Sequence, residues 1–299
     1  MFMNYFRRSF LSLITLFVLL QSQDTKSQPE IIIDWMTSKP ALTTGVALAA
    51  TIALSATAYY IKNKFFKPNY IACIKFESPI IELENTDLLI SKLMWVRDNP
   101  EIAGVLLMVE SGGGAPGQSE LIYHAIREVN TVKPIVVLVY DVMGSGAYLA
   151  FCGATIVAPA LSSVGCIGVL STITKAYPEK FDQEGTEGTL EIYPFAAGEF
   201  KSIHNPHVPL TDETKVEVQR EIDSLYDAFL DLVIKARPAL SLENKKDWAG
   251  GRSFNGPDAL HLGLIDYVGG MPTAQTILKR QITERVGKPI EDFQFLELI

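Results

Sequence analysis

The chain has 299 residues, of which 48% are hydrophobic and 20% are charged, and its formal net charge is −8 at pH 7. This length and composition are those of a globular protein with one large domain or two small ones. The acidic balance and the lack of a basic stripe argue against a nucleic-acid partner, because phosphate binding needs clustered lysine and arginine. Three cysteines without zinc-site spacing predict buried thiols, or at most one disulfide, and no metal site.

The first 68 residues contain two apolar segments. Residues 9–21 follow two arginines and have the length of a signal-peptide core or signal anchor. Residues 41–61 are uncharged and long enough to cross a bilayer. We therefore predict a membrane-anchoring region over 1–68 with a transmembrane helix at 41–61. The alternative for this Ala-rich stretch is a buried helix of a soluble domain.

From residue 69 to the C-terminus the sequence alternates segments typical of strands and of helices. Strands are predicted at 70–76, 104–109, 135–140, 155–158 and 190–195. Helices with apolar residues at three- and four-residue spacing are predicted at 87–97, 117–129 and 211–236. The alternation predicts a single α/β domain over 69–299, built from parallel βαβ units.

The strand predicted at 135–140 ends at a Gly-Ser-Gly turn centred on Ser145. Two roles fit a serine at such a strand-to-helix corner: the N-cap of the following helix, or a nucleophile. The nucleophile elbow of α/β-hydrolases is excluded, because it needs glycines two residues before and after the serine. Those positions are Met143 and Ala147 in this chain.

A second glycine cluster, at residues 111–117, lies between a predicted strand and a predicted helix. Its spacing matches the G-x-G-x-x-G motif of dinucleotide-binding proteins, but Pro116 removes an amide that would face a pyrophosphate. The loop also follows the second predicted strand of the domain rather than the first. The other role for this loop is an oxyanion hole, in which backbone N–H groups point at a developing negative oxygen.

A serine nucleophile needs a base, and the chain offers few. Lys201 lies among small and apolar residues, and a lysine that is desolvated in such a place has a lowered pKa and can accept a proton. His204 and His207 follow closely and are the alternative bases. His124, within a predicted helix, and His261, in a C-terminal turn, are more typical of surface or structural histidines.

Five motifs resemble, in order, those of the signal peptide peptidase A family, including its SohB-like branch, which are serine-lysine proteases of peptidase family S49. They are the S/T-P-G-G loop at 110–114, the A-S-G-G-Y nucleophile turn at 143–148, the G-S-I-G-V segment at 164–169, the A-G-x-x-K lysine motif at 197–202 and the C-terminal glycine motif at 251–266. The resemblance covers roughly residues 70–270. One such motif is weakly specific, whereas five in order are strongly so.

The resemblance implies a ClpP/crotonase-like fold and a membrane-anchored serine endopeptidase that uses no cofactor and no metal. It implies that Ser145 is the nucleophile, that Lys201 is the general base, and that the amides of Gly113 and Gly146 form the oxyanion hole. The implied substrates are signal peptides or membrane-protein fragments, and the implied assembly is a homo-oligomeric ring.

The implied location is the inner cell membrane, where the family's catalytic domain lies on the far side. The lysines that follow 41–61 place the domain in the cytoplasm instead by the positive-inside rule, so the side of the membrane stays open.

The chain departs from the family pattern at three positions. Gly112 replaces the loop proline, Ala147 replaces the second glycine of the nucleophile turn, and Cys166 replaces a serine that helps to hold the lysine. A thiol is a poorer hydrogen-bonding group than a hydroxyl, so Cys166 bears on how the lysine is oriented. Two other functions stay open: a crotonase-like acyl-CoA enzyme without a serine nucleophile, and a non-catalytic membrane scaffold.

Overall fold

The computed structural model describes residues 70–78, 81–175, 195–287 and 293–298, together with three positions between 52 and 57. Two compact units divide the chain, Met1–Phe66 and Lys67–Ile299. The predicted signal or anchor segment at 9–21 and, apart from those three positions, the predicted transmembrane helix at 41–61 lie outside the described residues. So does the strand predicted at 190–195, except for its last residue. Within the described part of the chain, no helix combines the length and the apolar character needed to cross a membrane.

The domain is a mixed α/β structure. Its described strands are β1 (Tyr70–Glu77), β2 (Ile102–Ser111), β3 (Ile135–Gly144), β4 (Thr155–Ala158), β5 (Ser163–Gly165), β6 (Ser253–Phe254), β7 (Tyr267–Val268) and β8 (Gln294–Glu297). Its described helices are α1 (Leu83–Asp98), α2 (Pro116–Val132), α3 (Gly146–Phe151), α4 (Asp212–Ala236), α5 (Lys245–Trp248), α6 (Gly256–Leu262) and α7 (Met271–Val286). The strands form one sheet in the order β6-β5-β3-β2-β1-β8, with β4 pairing β3 and β7.

The central strands are parallel because a helix returns the chain between them: α1 connects β1 to β2, and α2 connects β2 to β3. Their side chains alternate between two buried faces. Ile74, Leu107 and Val137 belong to the core that includes residues of α1, α2 and α3. Leu106 and Val136 belong to a second core, which includes residues of α7. The sheet is thus covered on both faces, which explains the almost uninterrupted apolar sequence of β2.

The end of β3 is set apart from the rest of the strand by a change of partner. Residues 136–138 pair with β4, whereas residues 142–144 pair with β5. The pairing of β3 with β2 also shifts register between Val109 and Ser111. In this interval a carboxylate oxygen of Glu110 accepts the N–H groups of Asp141, at 2.7 Å, and Val142, at 3.2 Å. These contacts fix the path of the chain just before the Gly-Ser-Gly turn.

Candidate active site

Ser145 is held in a strained backbone conformation between β3 and α3, with φ 52° and ψ −124°. A positive φ is uncommon for a residue other than glycine, and it persists only where the surroundings enforce it. Here the Ser145 N–H donates to the Gly165 carbonyl at 2.7 Å, and the Ser145 carbonyl accepts from the Leu149 N–H at 3.1 Å. The Ser145 side chain occupies the N-cap position of α3 but makes no capping hydrogen bond. The hydroxyl is therefore not used to stabilise the helix.

The glycine loop that follows β2 packs directly against this turn. Gly113 has a φ of 119°, and a Cβ added there would lie 2.9 Å from both the Gly146 nitrogen and the Ser145 Cβ. A Cβ on Gly146 would lie 2.5 Å from the Ser119 Oγ and 3.1 Å from the Gly114 nitrogen. Glycine at both positions is thus what allows the two backbones to approach each other beside the serine.

The two predicted oxyanion-hole amides differ in their surroundings. Gly146 is the first residue of α3, so its N–H has no carbonyl acceptor within the helix and lies at the positive end of the helix. The Gly113 N–H donates to the Ser111 Oγ over 3.3 Å, a long hydrogen bond. An oxyanion can therefore bind the Gly146 amide directly, whereas the Gly113 amide has to exchange Ser111 for the new acceptor.

Ser145 opens onto an apolar groove with a volume of about 440 Å³. One wall is formed by the glycine loop and the start of α2, and another by residues 168–171. The long helix α4 supplies the apolar stripe predicted from its sequence, namely Val218, Ile222, Leu225, Phe229 and Leu232. The stripe therefore faces a partly open groove, although its Phe229 is buried.

The candidate bases lie in the turns that precede α4. His204 lines the same groove as Ser145, although its side chain is otherwise exposed. Lys201 is exposed, and it is not one of the described residues that line the groove. Among the described residues, the desolvated setting expected for Lys201 is therefore not found. His207 is also exposed and outside the described groove lining. His124 lies on an exposed position of α2, within a helix as predicted, and His261 is exposed but lies in α6 rather than in the predicted turn.

Lys175 holds the segment that carries these bases, a role that its sequence context did not indicate. Its ammonium group donates to the carbonyl oxygens of Ile203, at 2.7 Å, and Asn205, at 2.8 Å. These two carbonyls flank His204 and lie just beyond Lys201. A lysine engaged in this way orients the segment, and no sequence periodicity signals such a long-range contact.

A second unpredicted group of contacts joins α3 to the end of α4 and to β4. Arg237, at the end of α4, is 6% exposed and pairs through Nη1 with the Asp266 Oδ2 at 2.8 Å. Asp266 belongs to the C-terminal glycine motif, and the same oxygen accepts the Ile156 N–H at 2.7 Å. The Tyr148 hydroxyl of α3 donates to the Leu264 carbonyl at 2.8 Å, and burial raises the pKa of Tyr148, so the phenol stays a donor. The motif thus ties α3, β4 and the end of α4 together.

Cys166 borders the nucleophile turn. It has a φ of 48°, and its N–H donates to the Arg252 carbonyl at 2.8 Å. A Cβ added to Gly144 would lie 3.4 Å from the Cys166 Cβ. The thiol is free and partly exposed. One of the three positions at which the chain departs from the family pattern is therefore next to Gly144, the residue before Ser145.

An unused serine hydroxyl at a strained corner, with a helix N-terminus and a glycine loop beside it, has the surroundings of a nucleophile in acyl-transfer chemistry. These features define the class of the serine hydrolases. Residues 127–283, just over half of the chain, match the family model described as peptidase family S49, and the chain belongs to this family.

Two curated relatives agree with this assignment. The putative protease MJ0651 of Methanocaldococcus jannaschii is 34% identical over 180 residues, which cover 60% of this chain and 55% of that protein. The chloroplastic serine protease SPPA of Arabidopsis thaliana is 27% identical over 208 residues, which cover 68% of this chain and 29% of that protein. The chain thus spans about half or less of the length of these curated relatives.

The solved structure is that of a mutant of the 1510-N membrane-bound stomatin-specific protease. It superposes with a TM-score of 0.51 at 11% identity, covering 78% of this chain and 99% of that one. At this identity the likeness concerns the fold alone. The predicted α/β class is confirmed.

Proposed function

We propose that this chain is a membrane-anchored serine endopeptidase with a ClpP/crotonase-like domain over 69–299, in which Ser145 is the nucleophile. The observation that carries the proposal is Ser145 itself. Its backbone is strained, its hydroxyl has no capping role, and the residue lines an apolar groove. Strain of this kind is typical of functional residues, because the surrounding structure has to stabilise it.

In the proposed reaction the Ser145 Oγ attacks the carbonyl carbon of the scissile peptide bond while a base takes its proton. The negative charge that forms on the carbonyl oxygen is stabilised by the N–H groups of Gly146 and Gly113, the second of which leaves Ser111. The intermediate collapses to an acyl-enzyme as the leaving amine receives the proton. A water molecule then attacks the acyl-enzyme while the base takes its proton, and the peptide acid is released as Ser145 regains a proton.

Lys201 is the proposed base, in line with the family's lysine motif. Because its side chain is exposed and lies outside the groove lining, it has to reach Ser145 by a rearrangement of its turn or from a neighbouring subunit. The second arrangement fits the proposed homo-oligomeric ring. His204 is the alternative base, since it lines the groove with Ser145.

Two single variants and one mixture separate these arrangements. Lys201→Ala abolishes peptide cleavage if Lys201 is the base, and His204→Ala does so if the histidine is. Mixing Ser145→Ala with Lys201→Ala subunits restores cleavage only where the serine and the lysine come from different chains. Full activity of Lys201→Ala would overturn the role of the lysine.

The proposed substrates are extended apolar peptides, such as signal peptides or membrane-protein fragments. The stripe on α4 supplies apolar contacts, and residues 168–171 offer a backbone along which a peptide can add as a strand. The proposed anchor over 1–68, with its helix at 41–61, would hold the domain at the inner cell membrane beside such peptides.

The test compares the wild-type chain with Ser145→Ala on an unfolded apolar peptide and on an acyl-CoA thioester. We expect the wild type to cleave the peptide and to form an adduct at Ser145 with a serine-reactive phosphonate, detected by mass spectrometry. The Ser145→Ala variant should do neither. Thioester turnover that survives in Ser145→Ala would favour the acyl-CoA enzyme. No adduct and no turnover of either substrate would favour the scaffold.

A further inference from the structure

The charges along the groove are all of one sign. Among the described residues that line it, the only carboxylates are Glu120 and Glu221, and neither lysine nor arginine is present. Glu120 comes from α2, three residues after Gly117 of the glycine loop, and Glu221 comes from α4, next to Ile222 of the apolar stripe. Two separate elements therefore present an acid to the same apolar surface.

We propose that Glu120 and Glu221 make the groove selective for apolar peptides that carry a lysine or arginine side chain. The inference rests on the proposed peptidase function and names the chemical class of its substrate. Both carboxylates are exposed, so water solvates them in the free protein. An apolar peptide lying on the α4 stripe displaces part of that water, and a cationic side chain compensates for the lost hydration, whereas a neutral or acidic one does not.

The neighbouring groups leave both carboxylates available to such a cation. Arg220, the arginine nearest to Glu221 in sequence, is attracted by the Glu221 carboxylate, but its guanidinium is bound by Glu217 through Nε at 2.9 Å. Glu120 has the His124 Nε2 at 3.5 Å, which forms an ion pair only when the imidazole is protonated. The formal net charge of −8 acts in the same direction, since it attracts cationic peptides to the domain.

The experiment measures binding and cleavage separately. Each set has three apolar peptides of equal length that differ only at one position, which is lysine, norleucine or glutamate. Further sets place this residue at other positions of the same peptide. Binding is measured as the Kd of fluorescent peptides for full-length Ser145→Ala, and cleavage as kcat/KM of the chain with Ser145 intact. We expect the lysine peptide to be preferred over norleucine by about tenfold at the best position, as two partly exposed ion pairs would give.

Substitution of the acids should remove this preference in steps. Glu120→Gln and Glu221→Gln should each lower the lysine-to-norleucine ratio by about threefold, and the double variant should bring it close to one. Glu221→Lys should shift the preference toward the glutamate peptide. Asp227→Asn is the matched control, because Asp227 is an exposed acid of α4 outside the groove lining, and it should leave the ratio unchanged.

The outcomes separate the two proposals. Equal Kd and kcat/KM for the lysine and norleucine peptides at every position would overturn the selectivity, even if both peptides are cleaved. A preference that survives in the Glu120→Gln, Glu221→Gln double variant would overturn the role of these residues. Selective binding to Ser145→Ala without any cleavage by the wild type would support the selectivity and overturn the peptidase function.

Discussion

The turn that carries Ser145 and the turn that carries Lys201 differ in how far the fold has fixed them. Residues 146–151 are all buried, and the glycine loop packs against Ser145 at a distance that excludes even one methyl group. By contrast, residues 195–201 are exposed, and the side chain of Phe195 is 94% exposed. One half of the proposed machinery, namely the Ser145 turn with α3 and the glycine loop, is therefore preorganised within the chain. The other half, the segment that carries Lys201 and His204, is not.

The largest effect is expected at Ser145. Ser145→Ala should lower peptide cleavage by about 10³-fold or more, because the nucleophile is lost. Ser145→Gly should lose the same activity but raise the free energy of unfolding by about 1 kcal/mol relative to Ser145→Ala, since glycine adopts the positive φ of 52° without strain. Peptide assays and urea unfolding of both variants check this. Equal stability of the two would show that the corner is not strained.

Gly113→Ala tests the close approach of the glycine loop. The methyl group would lie 2.9 Å from the Gly146 nitrogen and would force the two amides apart, so we expect kcat to fall about 100-fold. Gly270→Ala is the control, because no atom lies within 4 Å of a Cβ added there and its φ is −114°. If Gly113→Ala kept the wild-type kcat, the Gly113 amide would have no part in the oxyanion hole.

Much of the preorganised half could be predicted from the sequence, since it follows from local composition. The β-branched run at 135–140 and the glycines around Ser145 were enough to predict the strand and the corner. The helix predicted at 211–236 is also confirmed, and the Thr211 Oγ1 caps it by accepting the Thr214 N–H at 3.3 Å. Strands such as β5 and β6, with three and two residues, are too short to show a period.

The remaining features of the domain depend on contacts that sequence patterns do not contain. The stripe on α4 could be recognised from its period, but the period does not say that the stripe faces a groove rather than a closed core. Pairs such as Lys175 with Ile203, and Arg237 with Asp266, join residues 28 and 29 positions apart. No local signal marks them.

Arg237→Met should destabilise the preorganised half. The substitution removes the hydrogen bonds of the buried Arg237 guanidinium to Asp266 and to the Ala154 carbonyl, and because Asp266 is partly exposed we expect the free energy of unfolding in urea to fall by about 2 kcal/mol. Arg97→Met is the matched control, since Arg97 pairs with Asp98 on the surface, and its loss of stability should be much smaller. Similar losses for both variants would mean that the buried pair does not tie the domain together.

Lys175→Met should affect the other half with little change in global stability. Without the hydrogen bonds to the carbonyls of Ile203 and Asn205, the segment that carries Lys201 and His204 loses its orientation, and we expect kcat/KM for peptides to fall about tenfold. Lys175→Arg keeps a donor and should recover part of the rate. A fall in unfolding free energy as large as that of Arg237→Met would instead make Lys175 part of the rigid core.

The smallest effect is expected for Cys166→Ser, which restores the family's serine next to the nucleophile turn. A hydroxyl is a stronger hydrogen-bonding group than a thiol, and one such bond near Ser145 corresponds to about a threefold rise in kcat. Cys73→Ser, at a buried position of β1, is the control and should leave kcat unchanged. Because Cys166 borders Gly144, a rise in kcat would show that a hydroxyl at this position supports catalysis, whereas an unchanged kcat would show that the departure at Cys166 does not limit the rate.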